Sequence, residues 1–402
     1  MAAPSLDISA LRSRMEPYFD RYLSESLEFA YSYVDRMCLL LCLRVARDCR
    51  LLEPDAAPMA RLIARVNVAP DAVYLLSAVL EILGEEGFAR LTDYGWEGRF
   101  PCTVEDSTEL QRQARAACDE ATPIFELIER CHEHATEFLT GRETGFTVIF
   151  PHGDLELWER VHTADAVMSI YADLIMPVLE ALDGQRMRLL EVGAGVGAVL
   201  RRTNRRFHQF DIEQYWFTDV GRLFVLRAQS LYGGEPRIRF ATIDIDYPLR
   251  SQGLEPESFD VVIGVNVLHA AKNLCFSLRA IHSVLKANGY LILAEGSPPD
   301  RFHRWRLDVV FAFLRGWWDV SLDPLLRSRP GFLLPSEWER ALLACGFGPV
   351  YLLPDEDWFR GFCRGGVIVA RKQTPPMGAR LHDVADEVSR PRAPERVASW
   401  PI

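Results

Sequence analysis

The sequence predicts an α/β protein, a doubly wound and mostly parallel sheet of seven strands with a mainly helical region in front of it. Three observations carry that expectation. The run LLEVGAGVG (189–197) is an apolar strand that ends in an acid, Glu191, and turns through Gly193, Gly195 and Gly197. From about residue 155, strand-like runs alternate with helical periods, the pattern of parallel strands joined by crossover helices. Residues 1 to about 145 instead carry mostly helical spacing.

The elements follow in chain order. Pro70-Asp71 is a helix start signal, and Val73, Leu76, Leu80 and Leu83 then fall on one face. Gly84 and Gly87 break that helix before Phe88–Leu91, a short strand candidate, so this region reads as winged-helix-like and as a lid or dimerisation module. A second helical run covers 110–139, and 141–151 reads as a connector. Strands are expected at Met187–Glu191, Tyr215–Asp219, Ile238–Ile243, Phe259–Val265 and Tyr290–Ala294, with two more near Val350–Leu353 and Gly366–Ala370 as a closing hairpin. From Lys372 the prolines and missing apolar period suggest a disordered tail. The expected division is therefore a helical accessory domain (1–145), a sheet-bearing core (146–371) and a tail (372–402).

Composition narrows the partners. With 402 residues, 49% hydrophobic and 25% charged, the chain has material for a sizeable core plus an accessory domain. A net charge of -11 argues against nucleic acid or an anionic membrane as the main partner. The strongest apolar run, Met37 to Leu43, is too short for a bilayer, and nothing resembles a signal peptide, so a cytoplasmic protein is expected. The nine cysteines form no C-x-x-C pair, which suits free thiols in a reducing compartment. Cys131-His132-Glu133-His134 lacks matching ligands nearby, and no metal site is expected. Arg201, Arg202, Arg205 and Arg206 read as a solvated helix face.

The glycine turn points to a ligand. Glycine lets the backbone bend sharply and leaves no Cβ between chain and ligand. The spacing is G-x-G-x-G after an acid, not the G-x-G-x-x-G of dinucleotide enzymes. Glu191 beside the ligand suits a cationic cofactor bearing an amino acid better than a pyrophosphate, and S-adenosylmethionine fits. Ligands of such sheets sit beyond the carboxyl ends of the strands. There Asp219 can accept from both ribose hydroxyls, and Asp244 from the adenine amino group with Ile245 as an apolar face beside it. Strand four ends at Val265 and Asn266, and His269 follows; strand five ends at Glu295. If the two strands are neighbours, Glu295 can fix the His269 tautomer and raise its basicity, which a general base near neutral pH requires.

These segments resemble a known family. Tyr215–Asp219, Ser258–Val262, Asn266-Val267-Leu268-His269-Ala270, Leu285–Gly289, Gly316-Trp317-Trp318, Trp338 and Gly346-Phe347 follow one another as in the methyltransferase domains of polyketide synthases, the C-methylating ones especially. The resemblance covers roughly residues 140 to 371 and implies a Rossmann-like class I methyltransferase core. It implies that Glu191, Gly193, Gly195 and Asp219 hold the methionine and ribose parts of the cofactor, and that Asp244 and Ile245 hold adenine. Asn266 is grouped with this cofactor set. It also implies that His269 and Glu295 deprotonate a carbon between two carbonyls. The chain departs from the pattern at Asn288, where a glycine is usual and where asparagine tolerates a left-handed backbone, and loosely over Asp319–Pro330.

The expected function is methylation of a polyketide-type substrate, on carbon or alternatively on oxygen; a non-catalytic cofactor-binding scaffold is a third reading. The chain is expected to stand alone and to take a free or carrier-borne acyl substrate in trans. Arg301 to Trp318 is expected to cross above the site as an apolar helix, with Phe302, His303, Trp317 and Trp318 near the acyl chain. Arg301, Arg304, Arg306, Arg327 and Arg329 are candidates for the phosphate of a phosphopantetheine arm or an acidic carrier. Oligomeric state is left open by the sequence.

Overall fold

In the computed structural model of the protein, the apolar runs of the second half pair into a single seven-stranded sheet. The structure describes residues 6–22, 24–101, 104–182, 186–207, 209–298, 300, 302–354 and 364–373. Nine strands are present among them: β1 (Ala89–Thr92), β2 (Gly95–Gly98), β3 (Met187–Val192), β4 (Ile212–Asp219), β5 (Ile238–Thr242), β6 (Phe259–Val265), β7 (Leu285–Gly296), β8 (Phe347–Leu353) and β9 (Gly365–Lys372). The sheet order is β5-β4-β3-β6-β7-β9-β8. The first five are parallel, while β9 runs antiparallel to both β7 and β8. Strand order reverses beside β3, so the crevice at the carboxyl ends of β3 and β6 is the place for a ligand.

The strands are apolar in continuous runs because helices cover both faces of the sheet. Leu189, Tyr215, Ile263 and Ile292 belong to one apolar cluster; Leu190, Val262, Leu291 and Ile368 belong to another. The first cluster continues without a break into the N-terminal helices, taking in Leu41, Leu76 and Phe125. The longest of those helices, Glu25–Asp48, starts where the Ser24 side chain accepts from the Leu27 N–H. It buries Leu27, Val34, Cys38, Leu41 and Val45 on one face. The expected helix after Pro70 spans Val73–Glu85, and β1 and β2 follow as an antiparallel pair.

Several expectations need correction. The helical run 110–139 is two helices, Ser107–Ala117 and Thr122–Leu139, broken at Cys118. Pro123 opens the second, and the buried Asp165 carboxylate accepts from the Ile124 N–H at 2.9 Å. The connector 141–151 holds a short helix, Gly145–Ile149. Arg301 to Trp318 is no continuous helix: its described part has only Asp308–Phe311 in α conformation and a 3₁₀ turn at Arg315–Trp317. Trp305, Phe311, Trp317 and Phe332 pack ring against ring there, and that packing overrides a regular helical path.

Of the basic cluster after the glycine turn, Arg201 pairs with Glu159, Arg202 with Asp173 and Arg206 with Glu180. These three side chains fasten neighbouring helices, while Arg205 is exposed as a solvated residue. Asn288 does adopt the left-handed conformation, at φ 65°. Lys372, expected to open the tail, instead closes β9; residues 374–402 of the expected tail lie outside the described residues, as does Arg301.

Candidate active site

The glycine turn owes its shape to its neighbours. Gly193, Gly195 and Gly197 all have positive φ, at 59°, 52° and 77°. A Cβ on Gly193 would stand 2.0 Å from the Val267 Cγ2 at the end of β6, so only glycine fits. A Cβ on Gly195 would meet nothing within 4 Å, which puts open space in front of the turn. The Asp219 carboxylate ties this turn to the end of β4, accepting from the Gly195 N–H at 2.8 Å and the Gly221 N–H at 2.7 Å. Burial pushes the Asp219 carboxyl up from its ordinary range, and the two N–H donors oppose that shift.

Glu191 is deeper. Its carboxylate is 2% exposed, accepts from the Tyr215 hydroxyl, and is pushed up to about 8 by burial. Such a group favours a cationic neighbour, which would offset the lost hydration. Asp244 accepts from the Asp246 N–H at 2.9 Å, and Ile245 packs partly buried on the second apolar cluster. The open space before Gly195, the buried carboxyl of Glu191 and the acid at the end of β4 fit a nucleoside carrying a positive charge.

The ends of β6 and β7 are neighbours in parallel register, Val265 opposite Ala294. That register brings His269 and Glu295 together. The His269 Nδ1 lies 2.7 Å from the Glu295 Oε2. Glu295 Oε1 accepts from the backbone N–H groups of Val267 (3.1 Å) and Leu268 (2.8 Å). A fully buried carboxylate with these three donors has no freedom to turn, so the His269 Nδ1 holds its proton toward Glu295 and Nε2 is left as the acceptor. Asn266 reaches the same place at φ 47°. Its Oδ1 accepts from the Gly296 N–H at 2.9 Å, while its Nδ2 is buried without a partner among the described residues.

His269 and Asn266 line a cavity of about 170 Å³ with Trp158, His162, Met168, Phe311, Leu314, Trp317 and Phe332 among its walls. The His269 ring meets Trp317 and Phe332 edge to face, with centroids 4.9 and 4.6 Å away. Trp317 is itself held by the Asp308 carboxylate, which accepts from its Nε1 at 3.0 Å. Trp158 and His162 come from helix Glu156–Thr163 and escaped the sequence reading. Their i, i+4 spacing was visible, but that spacing also describes an ordinary packed face.

The arginines expected at the mouth are otherwise engaged. Arg304 is buried and binds Glu81, Asp308 and the Tyr74 hydroxyl; Arg306 binds Glu85 and Glu86. Arg329 donates to the carbonyls of Asp300 and His303. Arg327, 1% exposed, donates to the Ala271 carbonyl at 2.6 Å and the Leu268 carbonyl at 3.3 Å. It thereby clamps the turn that carries His269, with no carboxylate in ion-pair reach among the described residues. Phe302 is 72% exposed, His303 pairs with Asp300, and the Trp318 Nε1 donates to the Ala312 carbonyl, so of the four expected aromatics only Trp317 lines the cavity.

Cys131 is buried in helix Thr122–Leu139 and His134 contacts Glu143. Among the described residues, no group of three or more His, Cys, Asp or Glu is placed to hold a metal, and no helix is long and apolar enough to cross a membrane.

Several known proteins are similar to this chain. The family described as a methyltransferase domain matches residues 190–291. The polyketide synthase ThaQ of Burkholderia thailandensis is 30% identical over 300 residues, 70% of this chain and 14% of that synthase. The chain thus spans about a seventh of that relative's length. The crystal structure of the DszA carbon methyltransferase has 27% identity and a TM-score of 0.73, covering 92% of this chain and 94% of that one. The CurJ carbon methyltransferase, at 24% identity, shares the fold with a TM-score of 0.81 over 92% of this chain and all of that one. Sheet order, glycine turn and these matches give the chain the fold of the class I methyltransferases, with a methyltransferase-domain match over residues 190–291. Within that class the chain resembles the C-methylating domains of polyketide synthases.

Proposed function

We propose that the protein methylates the activated α-carbon of a polyketide-type acyl thioester, free or carrier-borne, with His269 as general base and Glu295 as its partner. The observation that carries this reading is the 2.7 Å contact between the His269 Nδ1 and a Glu295 carboxylate already fixed by two backbone N–H groups. When bound, S-adenosylmethionine supplies an electrophilic methyl carbon. Glu191, Gly193, Gly195, Asp219, Asp244, Ile245 and Asn266 are the residues we assign to holding it. The methyl donor needs little activation, so the chain's work is to make the nucleophile and to aim it.

The His269 Nε2 takes the α-proton, the electron pair stays on the acyl group as an enolate, and the new imidazolium rests against the Glu295 carboxylate until solvent removes the proton. Proton transfer by such a placed base is worth on the order of 10²–10⁴-fold. Trp317, Phe332 and Phe311 line the cavity with aromatic surface, which keeps water from the enolate. We read residues 1–145 as an accessory module tied to this site, since Arg304 links Glu81 and Tyr74 of helix Val73–Glu85 to Asp308 and so to Trp317. Residues 146–371 are then the catalytic core.

The test is mass spectrometry of products formed from S-adenosylmethionine with β-ketoacyl and β-hydroxyacyl thioesters. Methyl on the α-carbon of the ketoacyl substrate is the expected result. A methyl ether on the hydroxyacyl substrate, with the ketoacyl one untouched, would make the protein an O-methyltransferase.

A further inference from the structure

One polar group in the cavity wall serves neither the base pair nor the glycine turn. His162 lies in the last turn of helix Glu156–Thr163. Its Nδ1 is 3.0 Å from the carbonyl oxygen of Trp158, one helical turn back. A carbonyl oxygen can only accept, so Nδ1 carries the ring proton. The ring also rests against the Trp158 indole with centroids 4.3 Å apart, which restrains it from turning over. Burial lowers the imidazolium to about 4, so the ring is neutral at physiological pH. Its Nε2 is therefore a fixed acceptor, and it makes no hydrogen bond among the described residues.

Met168, Phe311 and Leu314 make the cavity beside it apolar. An acceptor in such a wall selects a ligand that brings an N–H or O–H and disfavours one that brings only carbonyl oxygen. The Asn266 Nδ2, also buried without a partner among the described residues, is a donor in the same wall, which we assign to the cofactor. Three polar functions thus line one small apolar cavity: a base (His269), a donor (Asn266) and an acceptor (His162).

We propose that His162 is a specificity-determining residue: its Nε2 accepts the hydrogen bond of an amide N–H in the thiol arm of the substrate, so that an amide-bearing thioester binds in preference to a plain alkyl one. This rests on the α-carbon reading above. A β-ketoacyl group in its keto form has no N–H or O–H. In a pantetheine thioester the nearest donor to the reacting carbon is the amide just beyond the two methylenes that follow sulfur. The chemistry of the arm therefore supplies what the acyl group lacks.

The test uses the full chain with S-adenosylhomocysteine and two ligands of the same β-ketoacyl group, its N-acetylcysteamine thioester and its S-butyl thioester. Affinity is read by intrinsic tryptophan fluorescence, so no turnover is needed. A neutral hydrogen bond is worth roughly 0.5–1.5 kcal/mol, and the wild type should prefer the amide-bearing ligand about two- to tenfold. His162→Phe, which keeps a ring against Trp158, should erase that preference. His162→Gln, which restores a carbonyl acceptor, should recover part of it, and S-adenosylmethionine affinity should not change in either variant. Equal binding of both thioesters by the wild type, or binding of neither, would overturn the proposal. So would an equal loss for both ligands in His162→Phe, or a loss confined to S-adenosylmethionine, which would assign Nε2 to the cofactor's ammonium. Failure of methyl transfer on these thioesters bears on the proposed reaction instead, and the binding comparison still decides this one.

Discussion

The two halves of the site are built in different ways. On the β3–β4 side, the chain shapes itself with its own backbone: three positive-φ glycines, and an Asp219 carboxylate bonded to the Gly195 and Gly221 N–H groups. Every part lies within about thirty residues of sequence. On the β6–β7 side, the walls are side chains gathered from Trp158, His162, Met168, Asn266, His269, Phe311, Leu314, Trp317 and Phe332. A backbone cradle suits an invariant ligand, which is why we assign it to the cofactor. A side-chain cavity can be re-cut for each substrate without touching the cradle. The two halves meet at Val267, whose methyl would strike any Cβ on Gly193 and whose N–H fixes Glu295.

The largest effect expected separates the halves cleanly. His269→Ala should lower kcat by about 10²–10⁴-fold and spare S-adenosylmethionine binding, with Glu295→Gln losing less. Steady-state kinetics with calorimetry of cofactor binding checks both. Near-normal turnover in His269→Ala would put proton removal elsewhere.

Gly193→Ala should join the halves in one failure. Its Cβ at φ 59° carries backbone strain of roughly 1–3 kcal/mol and also pushes Val267 off the Glu295 side. Cofactor affinity should fall by about tenfold or more and kcat should fall with it. A variant that loses affinity while keeping kcat would show that the halves are independent.

Legibility in the sequence follows the same division. Glu191, the three glycines and Asp219 could be found because a tight turn and a strand end are local features with their own residue chemistry. His269 and Glu295 were legible because adjacent parallel strands bring their carboxyl ends together, a rule of topology that needs no side-chain detail. Trp158 and His162 were missed because nothing local marks a helix face that will turn toward a cavity. The Arg301–Trp318 segment was misread for a related reason: its apolar spacing suits a helix, but Trp305, Phe311, Trp317 and Phe332 find more contact with each other than with a helical register. Arg304, Arg306, Arg327 and Arg329 looked free because their partners are distant in sequence or are backbone carbonyls.

Arg327 gives a smaller effect, and it sharpens the substrate half. Arg327→Met removes two bonds to the turn of His269 but also a buried guanidinium that burial already lowers to about 10. Lost hydrogen bonds of about 1–3 kcal/mol oppose relief of charge burial of similar size, so melting temperature should change little. The loosened turn should still cost kcat on the order of tenfold. Arg327→Lys should recover part of it, with cofactor affinity unchanged in both. A fall in melting temperature with kcat intact would reduce Arg327 to a packing role.

The smallest effect belongs to the cofactor half and depends on pH. Glu191 is protonated in the free protein below about pH 8. Its folded pKa is raised, so the free protein is expected to lose stability as pH climbs from the ordinary carboxyl range through that value. A bound cation favours the carboxylate, so cofactor affinity should rise with pH up to about 8 and then level off. Calorimetry in buffers of different ionisation enthalpy should find a proton released on binding below that pH. Glu191→Gln should flatten the profile, and a flat wild-type profile would remove Glu191 from the cofactor's surroundings.

The central claim, that His269 and Glu295 make a carbon nucleophile, is tested most directly by hydrogen exchange at the α-carbon of a β-ketoacyl thioester. With S-adenosylhomocysteine in place of the methyl donor and deuterated water as solvent, deprotonation and reprotonation can proceed without methyl transfer. The account predicts α-deuterium incorporation well above the uncatalysed rate in the wild type and loss of that excess in His269→Ala. Exchange at the background rate in the wild-type enzyme, with the thioester shown to be bound, would contradict it.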